Sequence, residues 1–96
     1  MPKYVTLFNF TAQGITEVKT SPGRMEAAKA GIEALGGTLT EFLVTMGRYD
    51  GVVTYELPDD ETAAMFLLKT GALGFVSTET MRAFDVDGFS AITDKL

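Results

Sequence analysis

Between residues 3 and 10 the side chains alternate, with Tyr4, Thr6, Phe8 and Phe10 on one face and Val5, Leu7 and Asn9 on the other. Alternation at period two among β-branched and aromatic residues predicts a strand over 3–10. A polar connection containing Gly14 and Lys19 follows. Ser21-Pro22-Gly23-Arg24 then supplies a capping hydroxyl and a proline suited to the first helical position, and Met25, Ala28, Ile32 and Leu35 recur at helical spacing. This predicts a helix over 22–35, ended by Gly36-Gly37. Strand composition over 38–45, a turn at Gly47-Arg48-Tyr49-Asp50-Gly51 and a second strand over 52–57 make a hairpin.

Pro58 breaks the strand, Asp59 is a capping residue, and Asp60 and Glu61 complement the positive end of a helix predicted over 60–70. Gly71 and Gly74 close it. Alternation returns over 75–84, where Val76, Thr78, Thr80, Arg82 and Phe84 oppose Ser77, Glu79, Met81 and Ala83. Phe89 and Ile92, three residues apart, predict a short terminal helix over 89–95.

The predicted order is β-α-β-β-α-β. Right-handed crossovers turn that order into an α+β ferredoxin-like plait, an antiparallel four-stranded sheet with both helices on one face. Two helices cover one face only, yet both faces carry bulky apolar side chains. Leaving such groups wet forfeits about 1.5–3 kcal/mol each, and a contiguous apolar patch is uncommon on a monomer. The expected remedy is a second copy packed sheet to sheet, forming a dimeric α/β barrel with Tyr4, Phe8 and Phe10 at the interface. The alternative is that the tail folds back over the open face.

Composition narrows the chemistry. At 96 residues the chain is one domain, and 46% hydrophobic with 22% charged residues is an ordinary globular balance. Thirteen acidic residues against eight basic ones give a net charge of -5, so no nucleic acid and no membrane partner is expected. There is no cysteine and no histidine. That excludes disulfides, thiolate nucleophiles, imidazole bases and Cys- or His-ligated metals, and neither metal nor cofactor is expected. The first residues lack the apolar core of a signal peptide, and the longest apolar run, 63–68, is too short to cross a bilayer, which predicts a cytoplasmic protein.

Gly36-Gly37 before a strand, Gly47-Arg48-Tyr49-Asp50, Glu56-Leu57-Pro58-Asp59-Asp60 and Gly74-Phe75-Val76-Ser77-Thr78-Glu79-Thr80 together resemble the GYD domain family over nearly the whole chain. The Gly, Tyr and Asp of the family's motif correspond to Gly47, Tyr49 and Asp50, with Arg48 interposed. The resemblance implies a ferredoxin-like fold of the dimeric α/β barrel type, usually in a single-domain bacterial or archaeal protein. It implies no particular reaction.

Arg48, Tyr49 and Asp50 place a cation, a phenol and a carboxylate in one turn, where the guanidinium would clamp an anion and the carboxylate accept a proton. Equally, the glycines serve the turn, Asp50 bonds nearby backbone and Tyr49 packs. Thr6, Thr78, Thr80 and Arg82 share a face with Tyr4 and would line a polar pocket; a polar edge strand is the competing account. Glu41 and Glu79 are strand-face carboxylates that a hard cation would use, or else solvated acids. Ser21-Pro22-Gly23-Arg24 is either an anion seat at a helix start or a cap. The leading expectation is a homo-oligomeric binding or structural module holding a small polar or anionic ligand in or near the barrel. The alternative is a cofactor-independent enzyme of the dimeric barrel type, monooxygenase- or isomerase-like, using Tyr49, Asp50 or Arg82.

Overall fold

The computed structural model describes residues 1–96 and runs β1 (Lys3–Phe10), α1 (Ala12–Thr16), α2 (Ser21–Ala34), β2 (Thr38–Val44), β3 (Gly51–Glu56), α3 (Asp60–Ala72), β4 (Val76–Ala83) and α4 (Val86–Thr93), with a 3-10 turn at Val18–Thr20. The sheet order is β2-β3-β1-β4 and every neighbouring pair is antiparallel. Each crossover therefore skips one strand, the split βαβ arrangement of the ferredoxin-like plait.

Register sorts the side chains. Thr6 lies opposite Val53 and Thr80, and Tyr4 opposite Tyr55 and Arg82, so these groups share a face. Helices α2 and α3 lie on that face and close a core of Tyr4, Phe8, Ile32, Val53, Tyr55, Leu57 and Ala63. Ile32, Tyr55 and Leu57 are the largest fully buried side chains. Helix α3 is set by its ends: Asp59 accepts the Thr62 N–H at 2.8 Å, and Gly74, at φ 83°, lets the chain turn out into β4.

This geometry corrects the expected interface. Tyr4 and Phe8 are only 4% and 5% exposed, and Phe10 packs against them. All three lie under the helices, and the buried Tyr4 and Phe8 have no surface to offer a second copy, while the half-buried Phe10 faces the helix side. The face without helices carries the other parity: Val5, Leu7, Val52, Leu43 and Met81, of which Leu43 and Met81 are 47% and 45% exposed.

Two elements differ from the sequence expectation. The connection after β1 contains α1, a single turn capped by Thr11 Oγ1, which accepts the Gly14 N–H at 3.0 Å and donates to the Gly74 carbonyl at 2.6 Å. The terminal helix, expected over 89–95, starts at Val86 because Asp85 accepts the Gly88 N–H at 2.7 Å and caps it there. Helix α4 does not roof the uncovered face: its Val86, Phe89 and Ile92 are themselves 80%, 61% and 41% exposed. No helix is long and apolar enough to cross a membrane.

Candidate ligand cavity

Helices α2 and α3 come together where Gly31 faces Phe66; a Cβ placed on Gly31 would stand 3.7 Å from the Phe66 ring. Between them and the sheet lies a partly open cavity of about 780 Å³, extending to the start of α2 and the end of α3. Phe8, Phe10, Phe42 and Val53 form its sheet side; Met25, Ala28 and Ile32 line it from α2, and Phe66 and Leu67 from α3. The aromatic groups brace one another. Phe8 meets Phe10 edge-on and Phe42 at a tilt, and Phe66 stands edge-on to Tyr55.

Hydroxyls interrupt this apolar wall at the sheet. Thr6 Oγ1 lies 2.7 Å from the Tyr55 hydroxyl and 2.8 Å from Thr80 Oγ1. Thr6, Tyr55 and Thr78 line the cavity, whereas Thr80 joins only through Thr6. Burial pushes the Tyr55 phenol's pKa up, and the neighbouring hydroxyls of Thr6 and Thr80 partly offset this. Two charged residues join the lining, the half-exposed Arg24 from the first turn of α2 and the exposed Lys69 from the last turn of α3.

The other expected site residues are dispersed. Arg82 lies 4.5 Å from the Phe84 ring and 5.9 Å from that of Tyr4, and donates to the Ala83 carbonyl at 2.7 Å. It does not reach the cavity. The Asp50 carboxylate accepts the Phe10 N–H at 2.8 Å, while the Asp50 N–H donates to Asn9 Oδ1 at 3.2 Å. Asp50 thus ties the hairpin turn to the end of β1. The Tyr49 hydroxyl turns towards the uncovered side and donates to Glu79 Oε2 at 2.7 Å; that bond, ahead of desolvation, raises its pKa. Arg48 stays exposed, 5.7 Å from the Tyr49 ring. Tyr49, Asp50 and Arg82 do not converge on one point: Arg82 sits opposite Tyr4, whereas the Asp50 carboxylate sits at the Phe10 N–H at the far end of β1, about 20 Å away by strand rise. Glu41 and Glu79 stand on opposite edge strands, too far apart to share a cation.

Tyr55 and Lys69 escaped the sequence reading of the site. Tyr55 had a signal, since it shares parity with Val53. Lys69 had none, because it enters the wall only through the way α3 crosses the sheet.

Tyr4 anchors α3 rather than the cavity. Its hydroxyl donates to Asp60 Oδ1 at 2.5 Å, and burial, reinforced by that bond and the Asp60 charge, pushes its pKa up to about 12. A raised folded-state pKa favours the protonated phenol, so this contribution to stability is complete below pH ~10 and is lost as pH rises from there through about 12. Tyr4→Phe is expected to lower stability by about 1.5–3 kcal/mol at neutral pH, the worth of a hydrogen bond to a charged group. It is also expected to flatten the alkaline loss without abolishing it, since Tyr55 and Tyr49 shift in the same direction. Denaturant titrations from neutral pH to about pH 12 check both effects.

The sheet order, with two helices on one face, defines a ferredoxin-like α+β domain. Residues 4–93 match the family model described as the GYD domain, and the chain belongs to that family. No curated protein sequence matches it. Among solved structures, "crystal structure of FFRP-DM1" is similar at a TM-score of 0.64 and 23% identity, over 88% of this chain and 100% of that one. A hypothetical protein, PHS023 from Pyrococcus horikoshii, superposes at a TM-score of 0.57 and 21% identity, over 88% of this chain and 92% of its own. TTHA0845 from Thermus thermophilus does so at 0.52 and 25% identity, over 90% and 96%. These are likenesses of fold.

Proposed function

We propose that this GYD-domain protein is a homodimeric binding module that takes a small, largely apolar molecule into the cavity between α2, α3 and the sheet. The cavity carries the proposal. At about 780 Å³ it falls in the size range of ligand sites, and it has their composition, a mostly hydrophobic lining with a few polar groups. Protein interiors are otherwise close-packed, and a wall without neighbours loses its dispersion contacts. Water replaces them poorly along the apolar part of the wall, because an ordered water needs two to four polar partners and the side chains of Phe8, Phe42, Val53 and Phe66 supply none. A molecule with an apolar body and one or two hydrogen-bonding groups restores the contacts.

The test is binding of an apolar fluorophore such as aminoanthracene, together with native mass spectrometry for any retained molecule. Ala28→Phe puts a ring into the cavity from a half-buried helix position. It is expected to weaken fluorophore binding by about tenfold or more while leaving the thermal midpoint unchanged or raised. Equal binding by the plugged variant would place the fluorophore elsewhere and remove the proposal.

Assembly is proposed through the uncovered face. Val5, Leu7, Leu43, Val52 and Met81 form an apolar surface that neither α2, α3 nor α4 shelters, and a second copy related by a two-fold axis buries both surfaces at once. The cavity lies on the opposite side of the sheet and stays open in such a dimer.

A further inference from the structure

We infer that the cavity's occupant is an amphipathic anion, a carboxylic acid with an apolar tail, whose carboxylate sits at the cavity mouth between Arg24 and Lys69. The inference rests on the cavity being a ligand site and adds the chemical class of the ligand. In a chain of thirteen acidic and eight basic residues, the only charged side chains along this cavity are two cations. Neither has a carboxylate partner, since both ion pairs of the protein belong to Lys3.

Arg24 is already held in place. Its guanidinium lies 4.3 Å from the centre of the Phe75 ring, donates to Ser21 Oγ at 2.9 Å and to the Glu17 carbonyl at 3.4 Å, and bonds Thr20 Oγ1. These contacts use three of its five N–H donors and leave two for a ligand. A guanidinium fixed before binding loses little further freedom on meeting a carboxylate, and charge-assisted bonds are about twice as strong as neutral ones. Lys69 brings a second, exposed ammonium from the end of α3. The apolar stretch of the wall rejects a second charge: Phe8, Phe42, Val53 and Phe66 offer no polar side-chain atom, and the hydroxyls of Thr6 and Tyr55 are bonded to each other.

Three ligands of one tail length separate the terms: decanoate, decanol and decylamine, each below its micellar concentration or solubility limit, measured by displacement of the fluorophore. Decanoate is expected to bind about tenfold or more tighter than decanol, with decylamine weakest. The double variant Arg24→Gln, Lys69→Gln is expected to remove the advantage of decanoate and leave decanol binding unchanged. Decanol binding as tightly as decanoate in the parent protein, with both lost in Ala28→Phe, would overturn the anion assignment and keep the cavity. Failure of all three ligands to bind would overturn both. A double variant with the decanoate preference intact would place the carboxylate away from Arg24 and Lys69 and end the proposal.

Discussion

Leu7→Lys is expected to leave the protein folded but monomeric, and the parent protein is expected to sediment as a dimer at micromolar concentration. Leu7 stands on an inner strand in the middle of the uncovered face, opposite Val52 on one side and Glu79 on the other. In the isolated protomer a lysine there keeps its ammonium in water beside an acidic neighbour, at little cost. Between two sheets the same ammonium is buried, and two-fold symmetry brings in its counterpart. Burying an incompletely paired charge costs several kcal/mol for each ion, enough to undo an interface of ordinary size. Phe8→Ala provides the contrast, because Phe8 belongs to the core under the helices; about 3–5 kcal/mol is lost from the protomer itself. Sedimentation with circular dichroism distinguishes dissociation from unfolding. A monomeric parent, or a Leu7→Lys variant that still dimerises, would show that the open face is not the contact.

What the sequence made legible was parity. Alternation over β1 and β4 correctly grouped Tyr4 with Thr6, Thr80 and Arg82, because strand side chains repeat every two residues whatever surrounds them. Parity does not say which group the helices cover. The hand of a crossover fixes a side of the sheet, but the set of residues pointing there depends on the pleat, so Tyr4 and Phe8 could be assigned to the wrong partner while the two faces were sorted correctly. Sharing a face is also weaker than sharing a site. Arg82 has the right parity, but it lies near the end of β4 and packs on Phe84, away from the cavity. Neighbours in a turn diverge for a related reason: Asp50 is drawn to the Phe10 amide while Tyr49 swings to Glu79.

The cavity itself is the least legible feature, since it follows from where two helices meet. Helical spacing marks Ile32 and Ala28 as inward but carries nothing about the crossing at Gly31 and Phe66 that leaves space beyond it. Helix α1 escaped for a different reason. Five residues are too few for propensity to register, and that turn is held by contacts with the distant Gly74 and Phe75.

Those contacts give Gly14→Ala a large expected effect on the fold. On propensity alone an alanine in a helix gains about 1 kcal/mol over glycine. Here a Cβ on Gly14 would lie 1.9 Å from the Phe75 carbonyl oxygen and 2.9 Å from its carbon, well inside contact distance. Neither side can retreat cheaply: the Phe75 carbonyl accepts the Thr11 N–H at 3.1 Å, and the Gly74 carbonyl beside it accepts from Thr11 Oγ1. Steric overlap with fixed backbone therefore outweighs propensity, and a loss of about 3 kcal/mol or more is expected. Gly23→Ala is the matched control, in α2 with nothing within 4 Å of its new methyl, and is expected to stabilise by about 0.4–1 kcal/mol. Denaturant midpoints moving in opposite directions support the close approach of α1 to Phe75, and movement in the same direction refutes it. The clash also reaches the cavity, because Phe75 carries the guanidinium of Arg24 on its ring. Gly14→Ala is accordingly expected to weaken decanoate more than decanol in whatever fraction remains folded.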